Sequence, residues 1–332
     1  MKKIINAVDD VLTESLEGFV AAHRDLVTLG DEGKFVRRSR LVPGKVALLS
    51  GGGSGHEPLH AGFVGQGMLD AACPGQVFTS PTPDQMLAAA EALAPEAGLL
   101  MIVKNYEGDV MNFEMAAEMA GELVPGGVAT VLTNDDVAVE TSTFSTGRRG
   151  VAGTLVVEKI VGAAAEAGDD LESLRSLGEQ VNAATRSMGV ALTSCTVPAA
   201  GKPTFALGET EMEFGVGIHG EPGRRRVPLM SADAMADEML GAMLEDFEGR
   251  PEEVLLFVNG FGATPLMELY LLYRAAERRL AAAGIEVARS LVGNYVTSLD
   301  MAGASLTVTA LDGKLLRWWD WPVHTPALRW GV

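Results

Sequence analysis

Two histidines stand in glycine-walled segments, GGGSGHEP at residues 51–58 and GVGIHGEPG at residues 215–223. The first follows the apolar run Val46-Ala47-Leu48-Leu49. A glycine run after a strand lets backbone N–H groups come close to a ligand, because no Cβ intervenes and positive φ carries no steric penalty. Imidazole titrates near neutrality, so His56 is a candidate to accept a proton or orient a hydroxyl. His219 lies among glycines that exclude a regular helix; a neutral imidazole there is a competent nucleophile toward a carbonyl, and covalent capture fixes a substrate with few atoms to grip. Each feature has a plainer reading: a tight turn for the glycine run, a histidine bonded to backbone at a helix start for His56, and an ordinary turn residue for His219.

The segment Lys104-Asn105-Tyr106-Glu107-Gly108-Asp109 begins at the carboxyl end of an apolar strand expected at residues 98–103, the edge where open α/β sheets bind ligands. Lys104 can donate to a ligand oxygen and Asp109 can take a hydroxyl proton, with its basicity set by local desolvation. A strand-end salt bridge with Asp109 as a helix N-cap is the alternative. The glycine loop is not a P-loop, since His56-Glu57 stands where Lys-Ser/Thr is required. Nor does it carry the ribose-binding acid of a dinucleotide fold. His60 follows His56 by four residues, but a histidine pair without a third ligand does not make a metal site, and no metal is assigned.

The 332 residues suit two α/β domains, expected at residues 1–183 and 184–332. Helices are expected where apolar spacing recurs: Val8, Leu12, Leu16 and Val20 on one face, then residues 57–65, 83–94, 114–123, 154–167, 171–188, 232–244 and 265–283. Strands are expected at residues 46–50, 98–103, 128–132, 190–193, 204–207, 211–216, 254–259, 286–291 and 305–310. The first half therefore reads as α/β with a mainly parallel or mixed sheet, the second as mixed α+β. A net charge of −18 disfavours nucleic acid and anionic membrane as partners, and Arg224-Arg225-Arg226 reads as a solvated loop. Cys73 and Cys195 lack metal or disulfide spacing and read as buried free thiols. With no membrane-length apolar run and no signal-peptide core, a cytoplasmic protein is expected.

Together, GGGSGHEP at Gly51, AACPGQVFTSPTPDQ at Ala71, KNYEGDVMNF at Lys104, GIHGEPG at Gly217 and GNYVTSLDMAGASLT at Gly293 resemble the dihydroxyacetone-binding subunit of dihydroxyacetone kinases, the DhaK type of the phosphotransferase-system-dependent enzymes, over nearly the whole chain. The resemblance implies a two-domain DhaK-type fold. It further implies that His219 forms a hemiaminal with the C2 carbonyl of dihydroxyacetone, that Gly53, Ser54, Gly55, His56, Lys104 and Asp109 bind the substrate, and that Asp109 and His56 assist removal of the terminal hydroxyl proton. Glycerol, lacking a carbonyl, would be rejected.

No P-loop or evident Mg²⁺ cluster supplies the phosphoryl group, and the chain stops at Val332 without room for the additional nucleotide domain of single-chain relatives. ATP or ADP and Mg²⁺ are thus expected on a separate DhaL-type subunit, rephosphorylated by a DhaM-type protein, with this chain a homodimer. Trp318, Trp319, Trp321 and Trp330 are expected in the core or an interface, and His324 has no assigned role. Two alternatives share the resemblance: a non-catalytic sensor that docks to a transcription regulator, and a kinase subunit for another small ketose such as erythrulose.

Overall fold

The computed structural model describes residues 2–138, 144–221 and 223–332; Pro222 of the second glycine motif lies outside them. The first layer comprises, in chain order, Val11–Ala22 (α1), Val27–Leu29 (β1), Val36–Arg38 (β2), Ala47–Ser54 (β3), Ala71–Val77 (β4), Pro83–Leu93 (α2), Leu99–Lys104 (β5), Glu107–Gly121 (α3) and Val128–Thr133 (β6). Its sheet runs β1-β2-β4-β3-β5-β6, parallel from β4 through β6, with β1 and β2 antiparallel at one edge. Two helices follow, Gly153–Glu166 (α4) and Leu171–Ala183 (α5).

Strand β5 is buried at every residue, as befits a central parallel strand covered on both faces. Its alternation decides where the chemistry points. Leu99, Met101 and Val103 pack with α2 and α3, whereas Leu100 and Ile102 pack toward α4. With a side-chain period of two, Lys104 falls on the α4 face. By the same parity Leu48, Ser50 and Gly52 of β3 share that face.

The second layer comprises Thr185–Ala191 (β7), Glu211–Phe214 (β8), Arg225–Pro228 (β9), Ala232–Glu245 (α6), Glu253–Gly260 (β10), Leu266–Ala282 (α7), Glu286–Gly293 (β11) and Gly303–Ala310 (β12). The sheet order is β11-β10-β12-β7-β8-β9, antiparallel except for the β10–β11 pair. The end of the chain, Gly313–Trp319 (α8), Val323–His324 (β13) and Arg329–Trp330 (β14), returns to the first layer: α8 packs on α4, and His324 bridges to Gln66.

Helix α4 is buried from Gly153 through Ala165 and apolar almost all round, the signature of a helix enclosed on every side. It touches β3, β5 and β6 of one sheet and β7 of the other, and one hydrophobic cluster runs through both layers around it. Lys159 on α4 donates to the carbonyl of Trp319 and lies 4.7 and 5.2 Å from the ring centres of Trp319 and Trp330. Trp318 and Trp319 are buried, and both cysteines are free and buried. Among the described residues no helix is long and apolar enough to cross a membrane.

Several sequence-based expectations need correction. Residues 57–65 form no α-helix, only a 3-10 turn at Ala61–Phe63, because the backbone there is spent on separate turns while His56 and His60 reach buried partners. Gly51, Gly52 and Gly53 do not follow β3 but lie within it, and of the motif's glycines only Gly55, just past the strand's end, has positive φ, at 104°. Helix α3 starts at Glu107 rather than residue 114, and α5 ends at Ala183 because Thr185–Ala191 pairs with β12. Residues 204–207 form no strand, with only an isolated Thr196–Pro203 bridge nearby. Arg225 and Arg226 lie in edge strand β9, where they pair with Glu238, Glu211 and Glu213. Val8 lies outside α1 and is exposed.

The tight seat of α4 makes a testable point. A Cβ at Gly162 would stand 2.5 Å from the Gly67 carbonyl oxygen and from Met68 Cα. Gly162→Val is expected to destabilise the protein by about 1–3 kcal/mol through overpacking, measured by chemical denaturation.

Candidate active site

Lys104 has no exposed surface. Its ammonium donates to Gly51 O at 3.3 Å and to His60 Nε2 at 2.9 Å, and it pairs with Asp109 Oδ2 at 3.5 Å. A Cβ on Gly52 would collide with Lys104 Nζ, and one on Gly53 would stand 2.6 Å from Thr79 N. The glycines thus admit a neighbouring side chain and a neighbouring strand end, which is why β3 tolerates three in a row.

Asp109 lies in the first turn of α3, where the helix dipole favours a carboxylate. It is not the N-cap, which is Tyr106. Asp109 is 2% exposed, and its Oδ1 has no partner. His56 Nδ1 lies 2.8 Å from Thr297 O. A carbonyl only accepts, so Nδ1 carries the proton and Nε2, buried and unpartnered, is a free acceptor. Burial, followed by His219 and the Lys104 charge, holds the His56 imidazole well below its usual range.

The ring of His219 meets those of Tyr106, His56 and Phe78 at centroid distances of 4.3, 4.6 and 5.4 Å. Burial and then the cations Lys104 and Arg149 push its pKa down to about 3, so the ring is neutral near pH 7. A second buried network holds its turn. The His219 backbone N–H donates to Glu221 Oε2 at 2.9 Å, and Arg149, itself fully buried, reaches Glu221 Oε1, Asp136 Oδ2 and Gly215 O at 3.4, 2.8 and 2.7 Å.

A cavity of about 450 Å³ opens over this cluster, with Gly53, Phe78, Ser80, Tyr106, Asp109 and His219 in its wall. Of the residues expected from sequence, Gly53, Asp109 and His219 line it, and His56 and Lys104 sit directly behind. Ser54 and Gly55 do not line it: the Ser54 hydroxyl donates to Gly75 O at 2.7 Å, and Gly55 N–H donates to the Glu57 carboxylate. Sequence reasoning missed Phe78 and Tyr106 as wall residues, Arg149, Asp136 and Glu221 as the support of the His219 turn, and His60 with Glu158 behind Lys104. Phe78, Tyr106 and Glu221 lie inside the motifs that carried the resemblance, and Glu158 had a signal of its own, a Glu-Lys pair inside the apolar run LVVEKIVGAAA.

The neutral His219 links the site to stability. In the unfolded chain the ring binds a proton below about pH 6.5, whereas in the folded protein it does not until pH nears 3, so stability rises with pH across that window. Lowering the pH from 7 to 5 is expected to cost about 1–2 kcal/mol through this ring. Chemical denaturation of native protein and His219→Asn at both pH values checks it; the variant should lose less by that amount.

The matched Dak1 domain covers residues 17–327. The dihydroxyacetone-binding subunit DhaK of the PEP-dependent dihydroxyacetone kinase of Escherichia coli strain K12 is 49% identical, over 100% of both chains. The corresponding subunit of PTS-dependent dihydroxyacetone kinase 1 from Listeria innocua serovar 6a is 50% identical, over 98% of this chain and 100% of its own. Among solved structures, the dihydroxyacetone kinase operon co-activator Dha-DhaQ has a TM-score of 0.90 at 33% identity, over 98% of this chain and 99% of its own. Because the match spans both the strand end bearing Lys104 and Asp109 and the turn bearing His219, the chain belongs to the Dak1 domain family.

Proposed function

We propose that the chain is the dihydroxyacetone-binding subunit of a dihydroxyacetone kinase, which captures dihydroxyacetone as a hemiaminal on His219 and presents a terminal hydroxyl to a phosphoryl donor on another polypeptide. The observation that carries this reading is a group of buried, unpartnered polar atoms at one cavity: Tyr106 OH, Asp109 Oδ1 and His219 Nδ1 on residues that line it, and His56 Nε2 on the ring packed directly behind His219. Such atoms are uncommon in a folded protein and costly to leave unsatisfied. A small polyhydroxy ketone offers them hydrogen-bond partners.

In this mechanism a neutral ring nitrogen of His219 adds its lone pair to the C2 carbonyl carbon. The C–N bond forms as the carbonyl π pair moves to oxygen; that oxygen gains a proton and the ring gives up its N–H proton, so charge is conserved. Asp109 then accepts the terminal hydroxyl proton as the phosphoryl group arrives, with His56 Nε2 as the second acceptor. Glycerol has no carbonyl and forms no such bond, which gives selectivity beyond size. ATP or ADP and Mg²⁺ belong in this reading to a DhaL-type subunit rephosphorylated by a DhaM-type protein, and the chain works as a cytoplasmic homodimer. The names of the full-length relatives, dihydroxyacetone-binding subunits of PEP- or PTS-dependent kinases, support the binding-subunit part of this reading.

The likeness to the co-activator supports a second reading, a dihydroxyacetone sensor without turnover. The unspent Asp109 Oδ1 and His56 Nε2 favour the enzyme, because carbonyl capture alone has less need of a positioned base.

The test combines native protein mass with turnover, using dihydroxyacetone, erythrulose and glycerol in the presence of the nucleotide-loaded partner. Native chain is expected to gain one ketone mass and phosphorylate dihydroxyacetone. His219→Ala should lose the adduct and at least about 10²-fold in turnover, while Asp109→Asn should keep the adduct and lose about 10²–10⁴-fold. Full turnover by His219→Ala overturns the mechanism, an adduct without turnover favours the sensor, and preference for erythrulose changes the substrate.

A further inference from the structure

Behind the cavity, Lys104 leads into a chain of groups that the proposed reaction does not use. Lys104 Nζ lies 2.9 Å from His60 Nε2, and His60 Nδ1 lies 2.6 Å from Glu158 Oε1. Ser50 Oγ stands 3.0 Å from the same Nδ1 while donating to Ile102 O at 2.7 Å. All four side chains are buried, and Glu158 Oε2 has no partner. The parity of β3 and β5 brings Ser50 and Lys104 to the face that α4 covers, and α4 delivers Glu158 to them.

The polarity of this chain follows from its ends. An ammonium only donates, so His60 Nε2 accepts from it and Nδ1 carries the ring proton. That proton points at the Glu158 carboxylate. A second arrangement has the same number of protons: Lys104 gives one to His60 Nε2, and His60 gives its Nδ1 proton to Glu158. The outcome is a neutral lysine amine, a neutral imidazole and a carboxylic acid in place of the separated cation and anion.

We propose that His60 and Glu158 are positioning residues forming a two-proton relay that sets the charge of Lys104 according to the charge of Asp109. With Asp109 ionised at 3.5 Å, the Lys104 cation has its counter-charge beside the cavity and the relay rests in its charged form. When Asp109 becomes neutral, that counter-charge is gone, and the relay moves both protons inward and removes the unpaired buried charge. This rests on the reading of Asp109 as the group that takes the substrate hydroxyl proton. The other titratable groups facing the relay are the neutral His56 and His219; Lys159, next to Glu158, faces Trp319 and Trp330 instead. Burial raises the Glu158 carboxyl above the usual carboxylate range, against the opposing Lys104 charge and the Ser50 hydrogen bond, so its anion and acid forms lie close in energy near neutrality.

The test reads the free protein first. Ring ¹⁵N NMR of His60 is expected to report the Nδ1–H tautomer in native protein and the Nε2–H tautomer in Asp109→Asn and Asp109→Ala, while the ¹³C-labelled Glu158 carboxyl changes from anion to acid. Adding Glu158→Gln, whose carbonyl can only accept from Nδ1–H, should hold the ring as Nδ1–H whatever stands at 109. In the turnover assay Glu158→Gln should lower kcat about 10-fold with KM for the ketone changed less than about 3-fold, and Glu158→Asp should recover part of it. An unchanged His60 tautomer in both folded Asp109 variants overturns the relay, as does a Glu158→Gln protein with native kcat. Tautomer switching in a protein that phosphorylates no ketone overturns the substrate reading and leaves the relay standing.

Discussion

A buried ammonium governs the functional end of the first layer. Removing such an ion from water costs several kcal/mol unless its hydrogen bonds are replaced, and all of the partners of Lys104 are parts of the protein: the Gly51 carbonyl, His60 and Asp109. Much of the local sequence follows. Gly52 must lack a Cβ because Nζ occupies that space, β5 must place residue 104 on the α4 face, and α3 must begin early enough to put Asp109 in its first turn.

His219 reaches the same cavity from the second layer on separate support. Arg149, Asp136 and Glu221 form a buried cluster that grips the turn by its backbone, so the ring is positioned without spending its own nitrogens. The two cations, one from each network, both oppose a charge on His219. The electrostatics that stabilise the fold therefore also keep the imidazole in the form that can attack a carbonyl. Its neighbours Phe78, Tyr106 and His56 pack their rings edge-on against it.

The α/β character and the long helices were legible because their periods are long and clean: residues 83–94, 154–167, 232–244 and 265–283 all contain the observed helices to within a residue or two. His56, Lys104, Asp109 and His219 were legible because each is a titratable residue next to glycine or a strand end. The His56–His60 segment was misread since four-residue spacing mimics a helix face, while tertiary hydrogen bonds donated by the two imidazoles to Thr297 O and Glu158 dictate its path. The pairing of Arg149 with Glu221 was invisible for a related reason. Glu221 lies in the second glycine motif but Arg149 sits 72 residues away, and only the packing of the layers brings them together.

The return of residues 313–330 to the first layer has a consequence for how the protein is made. Lys159 finds its acceptor in the Trp319 carbonyl, 160 positions later, and its ring partners in Trp319 and Trp330. A nascent polypeptide that has emerged only as far as β12 holds this amine in an apolar helix with neither acceptor nor aromatic cover. Synthesis therefore delivers the closing pieces of the earliest-made layer last.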